Sequence, residues 1–223
     1  MEKTVGVLAV QGAFIEHRRR IEQLGFQAVE LRNGDDARSE LDGLVLPGGE
    51  STVQSKLLRE LDMFEPLANK LSEGMPVFGT CAGLILLAQQ VANGPVAGAE
   101  HAAPTSSHVA ISGFATMPVT VVRNAYGRQL GSFHIADGQF FGDATGVEAA
   151  GGDSAASVPT VAQIPMTFIR APHIAQYGDG VEVLAALPDG TPVAVTYGNQ
   201  LGATFHPELD DDMSIYNTFA QML

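Results

Sequence analysis

The chain has 223 residues, of which 45 % are apolar and only 17 % are charged, below the roughly 25 % charged residues usual in soluble proteins. This composition excludes a disordered or collagen-like chain and predicts a well-packed core. The 12 basic and 25 acidic side chains give a formal net charge of −13, which repels phosphodiester backbones and anionic lipid surfaces. We therefore expect neither nucleic acid nor a membrane as a partner.

The first part of the chain alternates between short apolar runs and segments with helical periodicity. The predicted strands are 5–10, 26–31, 44–46 and 75–79, and the predicted helices are 13–24, 62–73 and 82–91. Parallel strands need a crossover connection, and a helix usually provides it. The pattern therefore predicts an α/β fold, a three-layer doubly wound sheet that is mostly parallel.

The later chain changes to short strand candidates separated by turn residues. These candidates are 118–123, 166–170, 181–186, 193–197 and 202–205, followed by a terminal helix at 213–222. We expect the strands to be antiparallel additions to the sheet. Residues 92–107 and 142–157 contain few bulky side chains, so they are expected to be mobile surface loops. Because motifs on both sides of these loops point to one site, residues 1–223 are predicted to form a single domain.

Cys81 is the one cysteine of the chain, so no intramolecular disulfide is possible, and a reducing cytoplasm is the expected location. No apolar run approaches the roughly 18 residues of a membrane span, and the first residues are not typical of a signal peptide. Six histidines are scattered without close pairing, so no metal site is expected. Most of these histidines are expected to be structural or solvated.

Cys81 lies in the sequence Gly79-Thr80-Cys81-Ala82-Gly83, between a predicted strand and a predicted helix. This pattern is typical of a nucleophile elbow, in which a strained turn presents the reactive side chain at a helix N-terminus. The backbone N–H after the nucleophile then helps to stabilise an oxyanion. The alternative is a small buried apolar residue, which is the usual role of a single cysteine in an apolar run.

Two further motifs favour catalysis when they are combined with this elbow. In His206-Pro207-Glu208, the proline disfavours helix at His206, so imidazole and carboxylate are expected to point the same way along extended chain. Glu208 would then orient His206 as a base for Cys81; a turn with an exposed acid is the alternative. The sequence LPGGES at 46–51 places two glycines at the carboxyl end of a predicted strand, where ligands bind in open α/β sheets. An ordinary Gly-Gly turn is the alternative there.

These motifs resemble those of class I glutamine amidotransferases. The resemblance rests on LPGGES at 46–51, FGTCAGLILLA at 78–88 and FHPE at 205–208. The segments GVLAVQGAFIEH at 6–17, VVRNAYGRQ at 121–129 and FIRAPHI at 168–174 are similar to those of one family in this class, the glutaminase subunits of pyridoxal 5′-phosphate synthases. The similarity spans nearly the whole chain and implies a flavodoxin-like amidotransferase fold.

The resemblance also implies site residues. The catalytic residues would be Cys81 as nucleophile, His206 as general base and acid, and Glu208 as its orienting partner. The oxyanion hole would be formed by backbone N–H groups at Gly48, Gly49 and Ala82. Glutamine would be held by Gly49, Glu50, Ser51, Arg123, Ile169 and Arg170. Residues 71–223 contain only three basic side chains, Arg123, Arg128 and Arg170, and two of them fall at these substrate positions.

The activity implied by the resemblance is hydrolysis of L-glutamine to glutamate and ammonia, with no cofactor. The implied partner is a (β/α)8-barrel synthase subunit that receives the ammonia, within a large hetero-oligomer. Gln11 and the following helix, with Arg18, Arg19 and Arg20, are candidates for that contact, although a solvated helix face explains three arginines as well. Two alternatives remain open: a glutaminase that serves another synthase, and a catalytically silent subunit that only binds the synthase.

Overall fold

The structure is a computed structural model, and it describes residues 3–93, 113–123, 132–142 and 161–223. The helices are α1 (Phe14–Gln23), α2 (Gly34–Arg38), α3 (Ser51–Glu60), α4 (Phe64–Ser72), α5 (Ala82–Leu87) and α6 (Ser214–Met222). The strands are β1 (Thr4–Leu8), β2 (Gln27–Leu31), β3 (Gly43–Leu46), β4 (Val77–Thr80), β5 (Ala88–Asn93), β6 (Met117–Arg123), β7 (Ser132–Phe140), β8 (Ala162–Ile169), β9 (His173–Tyr177), β10 (Glu182–Ala186), β11 (Pro192–Tyr197) and β12 (Gln200–Ala203).

A nine-stranded sheet runs through the described residues in the order β2-β1-β3-β4-β12-β11-β10-β7-β8. The first five strands pair in parallel, and the other four continue the sheet in antiparallel pairs. The parallel half has the strand order of flavodoxin-like folds, in which ligands bind beyond the carboxyl ends of the strands. The predicted doubly wound sheet with antiparallel additions is therefore confirmed.

Helices cover both faces of this sheet because its central strands are apolar on both sides. In β3, Leu44 and Leu46 pack into a core cluster with residues of α3, α4 and α5. Val45, which points to the opposite face, packs into a second cluster with α1 and α6. Because side chains alternate between the two faces of the strand, β3 contributes to two cores. The sheet therefore forms the middle of three layers, with helices on either side. Within the described ranges, no helix combines the length and the apolar character needed to cross a bilayer.

The structure corrects the prediction of a helix over 82–91. That helix ends at Leu87, and the chain continues as β5, whose residues Gln90 and Val91 lie opposite Thr120 and Val121 of β6. Pairing with a distant strand overrides a weak local preference for helix. The predicted strand 118–123 accordingly lies in a separate sheet, of order β5-β6-β9, and not in the main sheet.

Other elements also differ from the predictions. The predicted antiparallel strand 202–205 is instead β12, which runs parallel to β4 and antiparallel to β11. The helices α2 and α3 and the strands β7 and β9 were not predicted. The strand β7 contains Asp137 and Gly138, both poor strand formers, and its pairing with β8 is irregular between Ile135 and Gly138.

Both stretches predicted as surface loops fall mostly outside the described residues. Residues 92 and 93 form the end of β5, and Ala92 is 1 % exposed, so the first of these stretches begins within a sheet. Residue 142 is also described, whereas 94–107 and 143–157 are not. The mobility predicted for these segments stays a prediction.

Candidate active site

Cys81 occupies a strained turn between β4 and α5. Its backbone has φ 48° and ψ −99°, a region that costs a non-glycine residue about 1–3 kcal/mol and that is concentrated at functional sites. Its N–H donates to the carbonyl of Ala203 at 2.8 Å, which ties the turn to β12. The turn predicted from the sequence is therefore present in the structure.

The two glycines that flank Cys81 let this turn lie tightly against the sheet. A Cβ atom on Gly83 would lie 2.0 Å from the carbonyl oxygen of Leu46, and one on Gly79 would lie 2.7 Å from the carbonyl carbon of Gly83. Side chains at these positions would force α5 away from β3 and β4. The G-x-C-x-G spacing thus has a packing reason in addition to a conformational one.

His206 and Glu208 follow β12 and lie beside Cys81. His206 Nδ1 and Glu208 Oε1 are 2.7 Å apart, and the imidazole is within hydrogen-bonding reach of the Cys81 side chain. The backbone N–H of His206 donates to the carbonyl of Thr167 at 2.8 Å, so β8 helps to position the ring. Glu208 reaches His206 from a short 3-10 turn over Pro207–Leu209. The imidazole of His206 and the carboxylate of Glu208 therefore lie on the same side, as expected, but a 3-10 turn and not extended chain brings them together.

The partners of His206 favour its charged form. Burial alone would lower the pKa of His206, but hydrogen bonds with Cys81 and Glu208, together with their charges, raise it to about 10. Burial alone would raise the pKa of Glu208, but the interactions with His17 and His206 hold it below its usual value. Glu208 is only 3 % exposed. The site therefore contains a buried carboxylate behind an imidazole that retains a proton readily.

A cavity of about 250 Å³ opens beside these groups. Its walls come from the segments that follow β1, β3, β4, β8 and β12, together with α5 and the last residue of β6, so it lies at the edge where ligands of such sheets bind. The lining residues are Gly12, Ala13, Gly48, Gly49, Glu50, Ser51, Cys81, Ile85, Arg123, Ile169, Arg170, Pro172 and His206. All the predicted substrate-binding residues are on that wall. Ala82, predicted for the oxyanion hole, is fully buried next to Cys81 and is not part of the lining.

Charged side chains of both signs face the cavity. Arg123 Nη2 lies 2.7 Å from Glu50 Oε1, while Glu50 Oε2 accepts the N–H of Val53 at 2.9 Å and so caps α3. Burial alone would raise the pKa of Glu50, but hydrogen bonds from Thr52 and Val53 and the charge of Arg123 lower it. Arg170 has φ 46°, so a second strained residue lies at the same cavity as Cys81.

Gly48 and Gly49 lie between the catalytic candidates and the start of α3. A Cβ atom on Gly48 would lie 2.4 Å from His206 Cε1 and 3.4 Å from Cys81 Cβ. The Gly48 carbonyl faces Gly12, where a Cβ would be only 1.8 Å from the carbonyl oxygen. Gly49 has φ 154°. These close approaches explain why the loop is built from glycine, and its predicted role in an oxyanion hole stays a prediction.

Sequence reasoning missed a second histidine near the triad candidates. His17 was expected to be structural or solvated. It is fully buried, which excludes a solvated side chain, and its Nε2 lies 3.4 Å from Glu208 Oε2. No spacing in the sequence signals this contact, because residues 17 and 208 belong to α1 and to the turn after β12.

Arg128 lies outside the described residues. The described ranges contain no group of three or more His, Cys, Asp or Glu side chains arranged to hold a metal ion.

The fold and the site together define a class of protein. A cysteine on a strand-turn-helix elbow, with an imidazole and a carboxylate from the next parallel strand, is the arrangement of a cysteine-dependent acyl-transfer enzyme. Its position on a flavodoxin-like sheet is that of the glutamine amidotransferases to which the motifs are similar.

Comparisons with known proteins identify the family. Residues 7–223 match the model of the SNO glutamine amidotransferase family. The chain is 52 % identical over 215 residues to pyridoxal 5′-phosphate synthase subunit PdxT of Desulfitobacterium hafniense (strain Y51), covering 96 % of this chain and 90 % of that protein. It is 46 % identical to the subunit of the same name from Methanocorpusculum labreanum, covering 98 % and 97 %.

Solved structures agree with this result. A crystal structure of a glutamine amidotransferase, 35 % identical, superposes with a TM-score of 0.74 and covers 98 % of this chain and 97 % of its own. The structure of PurLQS from Thermotoga maritima, at 14 % identity and a TM-score of 0.65 with 99 % of both chains covered, shares the fold. The chain belongs to the SNO glutamine amidotransferase family.

Proposed function

We propose that this protein hydrolyses L-glutamine through a Cys81 thioester and delivers the ammonia to the synthase subunit of a pyridoxal 5′-phosphate synthase. The observation that carries the proposal is the position of His206, which pairs with Glu208 and lines the same cavity as Cys81. Family membership supports the substrate. The relatives named as subunits of pyridoxal 5′-phosphate synthase support the destination of the ammonia.

The chemistry takes two steps. His206 already carries the proton of the thiol when Cys81 Sγ attacks the side-chain amide carbon of glutamine as a thiolate, and the amide oxygen becomes an oxyanion. When the tetrahedral intermediate collapses, the C–N bond breaks, His206 protonates the nitrogen, and ammonia leaves a γ-glutamyl thioester. His206 then takes a proton from water, which attacks the thioester and releases glutamate and the free thiol. Glu208 holds the proton of His206 Nδ1 throughout, so that Nε2 serves the reaction.

The charges of the cavity suit a zwitterionic amino acid. The carboxylate of Glu50 is complementary to the α-ammonium group of glutamine, and the guanidinium groups of Arg123 and Arg170 are complementary to its α-carboxylate. The side-chain amide would then extend toward Cys81, between Gly49 and Ile169. Backbone N–H groups at Gly48, Gly49 and Ala82 are the proposed oxyanion donors.

The partner proposed from the resemblance is a (β/α)8-barrel subunit in a large hetero-oligomer. Of the three consecutive arginines, Arg18 pairs with Glu30 at 3.2 Å, and Arg20 donates to the carbonyl of Asp210 at 2.5 Å. Arg19 is exposed. We therefore assign Arg19, and not the whole triplet, to the proposed contact.

The proposal is tested by measuring glutamate and ammonia release with and without a pyridoxal 5′-phosphate synthase subunit. The wild-type protein should be strongly stimulated by that subunit, and Cys81→Ala should release no glutamate while still co-eluting with the synthase. The glutamine analogue diazo-oxo-norleucine should label the wild-type protein at Cys81.

Each alternative has its own signature in this experiment. Stimulation only by a different synthase would show that the chain serves another pathway. A complex with the synthase but no label and no glutamate would show a silent subunit. Full activity of Cys81→Ala would remove the thioester from the mechanism.

A further inference from the structure

Behind the proposed triad lies a buried chain of polar groups that the two-step chemistry does not use. Glu208 offers Oε1 to His206, and its other oxygen, Oε2, lies 3.4 Å from Nε2 of His17. The same Nε2 lies 3.1 Å from Thr80 Oγ1. On the far side of the ring, His17 Nδ1 lies 2.7 Å from the hydroxyl of Tyr216. Both His17 and Tyr216 are 0 % exposed.

The protonation state of this chain of groups follows from its burial. Burial lowers the pKa of His17, so its imidazole is neutral near pH 7 and carries one proton on one nitrogen. Burial, together with the charge of Glu208, raises the pKa of Tyr216 well above its usual value, so the phenol keeps its proton. A neutral phenol donates to the better acceptor, and His17 Nδ1 is that acceptor at 2.7 Å.

The tautomer of His17 is fixed as a result. Because Nδ1 accepts from Tyr216, the single proton lies on Nε2, the nitrogen that faces Thr80 and Glu208. This N–H has the threonine hydroxyl as its hydrogen-bond acceptor, and Oε2 of the carboxylate lies within electrostatic contact of it. Oε2 is buried and has no hydrogen-bond partner within the described residues, so the Nε2–H of His17, 3.4 Å away, is the polar group that faces it. A buried carboxylate oxygen without a donor is costly, so this contact matters for the ionisation and the orientation of Glu208.

We propose that His17 is a positioning residue of the glutaminase site, in which the hydroxyl of Tyr216 fixes its tautomer so that the positive end of the Nε2–H dipole faces the outer oxygen of Glu208. The inference rests on the proposed function and deepens it. It adds two residues, from α1 and α6, to the groups that control His206. His17 never touches glutamine in this arrangement and acts only through Glu208.

The elements packed against His17 supply few other charges. The ionisable groups that act on His17 are Glu208, His206 and Glu16, and Arg20 acts on Tyr216. Loss of the N–H donor at residue 17 removes a partner of the charged form of Glu208. The pKa of Glu208 then rises toward the value that burial alone favours, and the imidazolium of His206 loses its counter-charge at a higher pH.

The test uses the full chain with the synthase subunit and measures kcat, KM and the pH profile of three variants. His17→Leu removes the donor and should lower kcat by about 10- to 100-fold, as loss of outer hydrogen-bond partners does at other sites, with KM nearly unchanged. The acidic limb of its pH profile for kcat should move to higher pH. His17→Gln keeps an N–H near the position of Nε2 and should recover most of the rate.

Tyr216→Phe tests the tautomer separately. It removes one hydroxyl and leaves the ring in the core, so the protein should stay folded while kcat falls by about 2- to 10-fold, the value of one net hydrogen bond. Tyr197→Phe removes a phenolic hydroxyl of β11, outside this chain of groups, and should leave kcat and the pH profile as in the wild type.

Two results would overturn the inference. One is a folded His17→Leu with wild-type kcat and an unmoved acidic limb. The other is a loss of rate that His17→Gln does not recover and that comes without a pH shift, because a purely structural role predicts that pattern. If His17→Leu does not fold, wild-type kinetics of Tyr216→Phe would be sufficient to overturn it. In each case the wild-type protein remains an active glutaminase, whereas failure of the proposed function would leave the wild type itself inactive.

Discussion

The substitution Gly48→Ala adds one methyl group at the point where the loop after β3 meets the catalytic candidates. The new Cβ would lie 2.4 Å from His206 Cε1, 3.1 Å from Nδ1 and 3.4 Å from Cys81 Cβ. Ordinary contact begins near 3.4 Å, so the imidazole or the loop must move by about 1 Å. A misplacement of about 1 Å at a reacting group costs on the order of 100-fold in rate. We therefore predict that kcat falls about 100-fold while the protein remains folded.

The assay is glutamate release at saturating glutamine with the synthase subunit present, accompanied by a thermal unfolding curve. The matched control is Gly178→Ala, whose Cβ would meet Pro118 at an ordinary 3.4 Å and which does not line the cavity. This variant should have wild-type activity. If Gly48→Ala retains more than about half of the wild-type kcat, the ring of His206 is not held against the loop as described, and the reasoning is wrong.

Three further predictions concern charge at the site. Glu208→Gln should lower kcat by about 10³- to 10⁴-fold, because His206 loses the partner that fixes its tautomer; a loss below tenfold would contradict the orienting role. Arg123→Gln should raise the KM for glutamine by at least about tenfold, the value of one charged hydrogen bond, with a small change in kcat, and an unchanged KM would remove Arg123 from the substrate site. The folded pKa of His206, about 10, exceeds its unfolded value near 6.5, so its stabilisation is complete below pH 6.5 and is lost as the pH rises through 10. Urea midpoints should therefore fall across that window in the wild type and fall less in Glu208→Gln, and parallel curves for the two proteins would refute this linkage.

Much of the candidate site could be predicted because its residues lie in short motifs of a few consecutive positions. The turn at Cys81 is specified by two glycines at fixed spacing between a strand and a helix, and the pair His206 and Glu208 is specified by two positions around a proline. Short-range patterns of this kind survive in sequence because backbone sterics fix them within a few residues. The apolar runs that form the parallel strands are also short, local patterns. Their alternation with helical segments predicted the doubly wound sheet.

What the sequence determined by itself is therefore the make-up of the candidate site: a cysteine, an imidazole, a carboxylate and a glycine loop at the edge of a parallel sheet. Only the tertiary structure decided that residues 88–93 form a strand and that His17 and Tyr216 stand behind Glu208. The physical reason is that these features depend on contacts between residues far apart in the sequence. A strand of weak propensity is stabilised by pairing with a distant strand, and a buried polar contact depends on how helices from the two ends of the chain pack on one face of the sheet.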